Sequence, residues 1–222
     1  MINIDSLQFS YKTGSFHVSI PALSVEPCEK VAIIGPSGSG KTTLLNLISG
    51  IFLPQQGTVN VNNVDINHLS DTQRRAMRIT SIGFIFQDFK LLDYLNVKDN
   101  ILHPFRITSA LSLTKIIQQR AEEIAEQLGI YDKLKSKPKE LSQGEKQRVA
   151  ICRALLTNPQ LILADEATGN LDPQNKILIL DQLFNYVKTH NATLIAVTHD
   201  HELLPSFDRV IDFKAFYRTH MA

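Results

Sequence analysis

The sequence predicts an α/β fold: a parallel sheet, an N-terminal antiparallel β-lobe and an inserted helical lobe. Apolar spacing switches repeatedly between short strand-like runs and helical periodicity. A β-branched run, 31–34, leads through a glycine-rich turn into a helical pattern, and buried runs return at 161–164 and 193–197. With 222 residues, 43% of them hydrophobic and 20% charged, the chain is large enough to bury one substantial core. It contains no internal repeat or low-complexity tract.

Ile2 to Tyr11, Phe16 to Ile20 and Gly57 to Ile66 alternate as half-buried antiparallel strands do, with Gly14 and Asn62-Asn63 at the turns. Val31 to Ile34 is the first core strand. After it Leu44, Leu45, Leu47, Ile48 and Ile51 recur at helical spacing, and the helix is expected to run until Pro54. From about Asp88 to Pro138 the pattern is mainly helical. There Ile116, Ile117, Ala121, Ile124, Ala125 and Leu128 share one face, with Ser112 as N-cap and Gly129 as stop. Ser142 caps a further helix. Leu161 to Ala164 and Thr193 to Val197 are buried strands, with a helix from near Pro173 between them. The expected division is a core with its β-lobe over 1–87 and 156–222, and a helical lobe over 88–155.

Composition narrows the partners. Basic residues exceed acidic ones by one, without blocks of like charge, so bulk electrostatics gives no reason to expect nucleic acid or anionic lipid. No apolar run approaches the roughly 18 to 20 residues that span a bilayer, and the first five residues lack a basic region followed by an apolar core. A soluble, cytoplasmic chain is expected. Cys28 and Cys152 lie far apart in apolar settings and are expected to be buried free thiols; no metal-ligand cysteine spacing occurs.

Gly35-Pro36-Ser37-Gly38-Ser39-Gly40-Lys41-Thr42 fits Gly-x-x-x-x-Gly-Lys-[Ser/Thr] at every fixed position, between a predicted strand and helix. Small residues let successive N–H groups turn inward around phosphates, and the helix N-terminus adds donors and a favourable dipole. Lys41 neutralises β/γ-phosphate charge, and the Thr42 hydroxyl suits Mg²⁺. Asp165-Glu166 closes the apolar run 161–164, placing two acids at the carboxyl end of a buried strand, where open α/β sheets bind ligands. Asp165 suits the Mg²⁺ shell and Glu166 the polarisation of a water attacking the γ-phosphate; two acids capping the next turn are the plainer alternative. The Ser142 helix start, left uncovered by Gly144, is a second anion-binding end.

This ordered set resembles the nucleotide-binding subunit of an ATP-binding cassette (ABC) transporter, from the Tyr11 region to about Asp212. The resemblance implies a P-loop NTPase with a RecA-like parallel-sheet core, binding ATP and Mg²⁺. Gly35 to Thr43 would hold the phosphates. Tyr11 is similar to the aromatic that stacks on adenine, although a lone tyrosine otherwise belongs to a core. Gln87, closing Ile82-Gly83-Phe84-Ile85-Phe86-Gln87, resembles the glutamine that reaches Mg²⁺ and the attacking water. His199 resembles the switch histidine on the γ-phosphate, and Asn170-Leu171-Asp172 the loop that crosses the dimer seam. In the family the signature segment of one subunit, here Ser142 and Gly144, closes over ATP held by the other's phosphate loop, so a homodimer in the ATP-bound state is implied.

The chain departs from the usual Leu-Ser-Gly-Gly-Gln at Gln143 and Glu145, and carries Ala167 where proline is common. Gln143 implies weaker or slower closure rather than loss of activity. The segments 82–101 and 164–172 resemble the lipoprotein-releasing, macrolide-exporting and cell-division branch. That implies a separate membrane permease subunit, with no direct contact between this chain and the transported substrate. The alternative within the branch is a non-transport regulatory clamp of the cell-division type. Phe89, Leu91, Leu92, Tyr94 and Leu95 either receive a coupling helix of the membrane subunit or pack the helical lobe.

Overall fold

The computed structural model describes residues 1–13, 16–169, 171 and 173–216. A four-stranded antiparallel sheet is ordered β2-β1-β4-β5, from β1 (Ile2–Ser10), β2 (His17–Val25), β4 (Gln56–Val61) and β5 (Val64–Asp65). Asn62 and Asn63 both take positive φ, 52° and 62°, the conformation that closes a tight hairpin with the twist of its strands. The Gly14 turn lies outside the described residues. β2 continues five residues past the expected Ile20, through Pro21. That proline is tolerated because β2 is an edge strand and the ladder skips from Leu7↔Ile20 to Asp5↔Ala22, opposite Ser6 at φ +50°.

The second sheet is wholly parallel, ordered β6-β7-β8-β3-β9: β3 (Lys30–Ile34), β6 (Ile82–Ile85), β7 (Leu161–Asp165), β8 (Thr193–Val197) and β9 (Arg209–Asp212). Its alternating residues feed two cores, as a side-chain period of two requires. Val31, Ile33, Leu161, Leu163, Ile195 and Val197 face α1 (Lys41–Ile48) and the β-lobe. Ala32, Ile162, Ala164, Leu194 and Ala196 face the helices of the chain's second half. Those are α3 (Val97–Arg106), α4 (Lys115–Gln127) and α5 (Gln143–Leu155), which pack on one another, and α6 (Pro173–His190).

Several expectations are corrected. α1 stops at Ile48, because Gly50 at φ +65° turns the chain before Pro54 is reached, leaving Ile51 exposed. Thr114, not Ser112, caps α4 by accepting the Ile117 N–H at 3.3 Å; Gly129, at φ +66°, ends that helix as expected. α2 (Asp71–Ser81) was not anticipated. It buries none of its residues, so no apolar stripe announces it, although its Ser70–Gln73 capping box is legible. Cys152 is buried, and burial pushes its thiol far above the usual range, but Cys28 is exposed on the turn before β3. No helix of the described residues is long and apolar enough to cross a membrane.

Candidate active site

The parallel register carries Gly35, Asp165-Glu166 and Thr198-His199 to one edge of the sheet, with Phe86-Gln87 following β6. Gly40 begins α1 at φ +104°, where a Cβ would lie 2.7 Å from Phe16 Cζ and 2.8 Å from Val18 Cγ2, so glycine is required. The Lys41 ammonium curls back and donates to the carbonyl oxygens of Gly35 and Pro36, both at 2.9 Å. Burial lowers its pKa, opposed by the charges of Glu166 and Asp165. Ser39 is fully buried and its hydroxyl has no protein partner. The loop thus holds inward polar atoms that the protein itself leaves incompletely satisfied.

Asp165 is 5% exposed; burial raises its carboxyl pKa, with a hydrogen bond from Thr42 and the Lys41 charge opposing and the Glu166 charge adding. Its Oδ1 is buried without a hydrogen-bond partner. A buried, unpartnered carboxylate oxygen beside a threonine hydroxyl fits a hard cation such as Mg²⁺. Glu166 occupies the left-handed region at φ +50°, held by its N–H on Val197 O at 3.1 Å and its carbonyl on Gly169 N at 3.0 Å. Such a conformation is unfavourable by about 1–2 kcal/mol for a residue with a Cβ, and turns the side chain away from the strand direction. Both carboxylate oxygens are engaged: Gln87 Nε2 donates to Oε2 at 2.9 Å, and His199 Nε2 lies 3.0 Å from Oε1.

Gln87, Glu166 and His199, from three strand ends, therefore meet. A cavity of about 560 Å³ opens beside Glu166 and His199, and another of about 330 Å³ lies between Gly35, Pro36 and His199. Tyr11 joins from the β-lobe: its hydroxyl and that of Thr43 are 2.9 Å apart, and its ring, 39% exposed, packs among Phe9, Phe16 and Phe52. It is half core and half platform. Pro36, Ser37 and Gly38 are exposed on the loop.

The signature segment behaves differently. Ser142 Oγ accepts the Glu145 N–H at 3.3 Å while Glu145 Oε2 accepts the Ser142 N–H at 2.7 Å, a reciprocal capping box. The Ser142 N–H holds the Glu145 carboxyl below its ordinary pKa, and Lys133 stands 3.5 Å away. Glu145 is thus occupied within its own turn. Gln143 is exposed, and a Cβ on Gly144 would meet Leu171 Cδ2 at 3.5 Å, an ordinary contact. The partners of Ser142 and Gly144 belong to their own turn and to Leu171, not to Lys41. Asn170 and Asp172 of the expected seam loop lie outside the described residues.

Sequence reasoning missed the ties that hold the loop following Gln87. Arg153 of α5 donates to the carbonyls of Phe89 and Lys90, its pKa lowered to about 10 by burial. The buried Asn100 side chain accepts the Leu92 N–H and donates to the carbonyls of Leu92 and Asn96. A polar residue on the apolar face of α3 was the available signal. Of the expected groove, Phe89 is buried and Leu91 packs on the core, whereas Tyr94 is 73% exposed. A separate apolar groove of about 210 Å³ is lined by Ile79, Ile82, Phe84, Phe86, Pro104 and Ile107.

A phosphate loop after β3, a buried carboxylate at the end of β7, two strands away in the same sheet, and a second acid held by glutamine and histidine define a P-loop nucleoside-triphosphate hydrolase. Residues 19–169 match the family described as ABC transporter. The chain is 36% identical over 214 residues to the lipoprotein-releasing system ATP-binding protein LolD of Legionella pneumophila, covering 95% of this chain and 93% of that one. It is 37% identical over 219 residues to the macrolide export ATP-binding/permease protein MacB of Rhodopirellula baltica, covering 96% of this chain but 32% of the relative. Among solved structures it is similar to a dimeric post-hydrolysis state of the ATP-binding cassette MJ0796 bound to ADP and Pi, with TM-score 0.87 and 33% identity, covering 96% of this chain and 94% of that one. The chain belongs to the ABC transporter family, as an ATP-binding and ATP-hydrolysing subunit. The relatives' names favour this transporter reading over the cell-division clamp.

Proposed function

We propose that the chain hydrolyses Mg-ATP as a nucleotide-sandwich homodimer on the inner face of the cell membrane, driving a separate permease subunit that alone contacts the cargo. The buried, unpartnered Oδ1 of Asp165 beside Thr42 carries the proposal. Thr42, Asp165 and Gln87 would hold Mg²⁺, which when bound neutralises charge on the β- and γ-phosphate oxygens.

Gly35 to Thr43 cradle the triphosphate, and Lys41 exchanges its loop carbonyls for phosphate oxygens, a stronger charge-assisted contact. Tyr11 stacks on the base. Glu166 leaves Gln87 and His199 to accept a proton from the attacking water, while His199 turns to the γ-phosphate. Ser142 and Gly144, with Asp172 at the seam, act on the nucleotide of the partner protomer. The dimeric MJ0796 structure supports that assembly. The domain division over 88–155 is the moving helical lobe in this scheme. The groove at Phe84 and Phe86, whose rings stack at 4.1 Å, receives a cytoplasmic helix of the permease.

Phosphate release by the purified chain, titrated with Mg²⁺ at fixed ATP, tests the reading. Activity that depends on the cation in the native chain and loses that dependence in Asp165→Asn is expected; undiminished native activity after chelation, or native-like Mg²⁺ stimulation of Asp165→Asn, would contradict it.

A further inference from the structure

Beside His199 lies an ion pair that the hydrolytic scheme leaves unused. Lys176, in the first turn of α6, places Nζ 2.7 Å from Asp200 Oδ2. Among the described residues it is the ion pair in which both side chains are a quarter exposed or less, 25% and 20%. Lys176 holds Asp200 below the ordinary carboxylate pKa. The other oxygen, Oδ1, caps the 3-10 turn 201–206 by accepting the Glu202 N–H at 3.2 Å, and the Asp200 N–H donates to Thr198 Oγ1 at 3.0 Å. Residues 198–202 are thus gripped on three sides through Asp200.

His199 sits inside that grip. Its side chain is about half exposed and reaches across to Glu166. Burial does little to orient an imidazole so exposed, so its aim depends on the Glu166 contact at its tip and on the backbone beneath it, and on the backbone alone once it leaves Glu166. The same turn of α6 carries Asn175, whose Oδ1 accepts Arg148 Nη1 of the signature helix α5 at 2.9 Å. One helical turn therefore touches α5 on one side and the switch segment on the other.

We propose that Lys176 is a positioning residue for hydrolysis, fixing His199 through Asp200 and tying its aim to the seat of the α6 N-terminus against the signature helix. The inference rests on the role of His199 proposed above. The competing role is direct contact of Lys176 with phosphate, since it lines the same 560 Å³ cavity as Glu166 and His199. The two differ in kinetics. A phosphate ligand lost raises KM for ATP; a misaimed histidine lowers kcat.

Steady-state ATPase of the full chain decides, with Lys176→Met, Lys176→Arg, His199→Ala and the Lys176→Met/His199→Ala double variant. Lys176→Met is expected to lower kcat about tenfold with KM changed less than about twofold, the size of effect a small misplacement produces. Lys176→Arg should restore most of the rate, and the double variant should be no slower than His199→Ala alone. A raised KM with kcat intact, an unchanged rate, no rescue by arginine, or multiplicative losses in the double variant would each overturn the inference. His199→Ala at native rate would instead remove the histidine's role, and this inference with it. Native melting temperature in Lys176→Met separates positioning from unfolding; a kcat loss accompanied by unfolding and not rescued by arginine also counts against it.

Discussion

The phosphate loop and the signature tip are both helix N-termini, yet the protein finishes one and leaves the other open. At α1 the cap is glycine without a side-chain bond, Ser39 and Asp165 keep buried polar atoms unpartnered, and Lys41 falls back on its own loop carbonyls. At α5, Ser142 and Glu145 satisfy each other and Gln143 faces solvent. An end with buried unsatisfied groups favours ligand binding at the expense of unliganded stability. A self-capped end is stable by itself, and in the proposed dimer it would add contacts only when a partner brings the anion.

The comparison is sharpened by breaking each end in turn. At the open end, Glu166→Gln removes the proton acceptor and should lower hydrolysis by about a hundredfold or more, read as phosphate release, with ATP binding retained; turnover within a few-fold of native would remove the base role. Next, Asp165→Asn should abolish Mg²⁺ stimulation yet raise unliganded stability by about 1 kcal/mol at neutral pH, read by denaturant melts. The sign follows from the raised carboxyl pKa: the contribution of Asp165 is fully present below the unfolded value and is lost as pH rises through the folded one. The gain in the variant should therefore vanish in acid, and a loss of stability at neutral pH would contradict it.

At the self-capped end, Ser142→Ala should cost about 1 kcal/mol of stability through the lost cap, and a shift near zero would show the box to be idle. The smallest effect is expected from Gln143→Gly. Removing an exposed side chain at the closing surface should speed hydrolysis by about two- to threefold, as interface crowding is relieved; an unchanged or lower rate would count against crowding.

The same contrast explains what was legible in the sequence. Features with a local cause read directly: the glycine spacing of 35–42, the apolar run into Asp165, the Ser142 cap, the Asn62-Asn63 turn. Elements whose cause is tertiary did not. Pro21 argues against a strand unless the strand is known to be an edge, and α2 lacks an apolar stripe because it buries none of its residues. The meeting of Gln87, Glu166 and His199 depends on strand order β6-β7-β8, and residue types alone do not encode that neighbourhood. Glu166 could be read from the end of its own apolar run, whereas resemblance to a family supplied Gln87 and His199, and Lys176 stayed invisible because an α6 lysine without its partner reads as surface charge.

Sedimentation of Glu166→Gln, with and without saturating Mg-ATP, addresses most directly whether the two unlike ends meet across a two-fold axis. The account predicts monomer without nucleotide, dimer with it, and monomer again, ATP still bound, when Ser142→Glu is added to repel the partner's γ-phosphate. A nucleotide-loaded monomer in the first variant, or a dimer indifferent to Ser142→Glu, would contradict it.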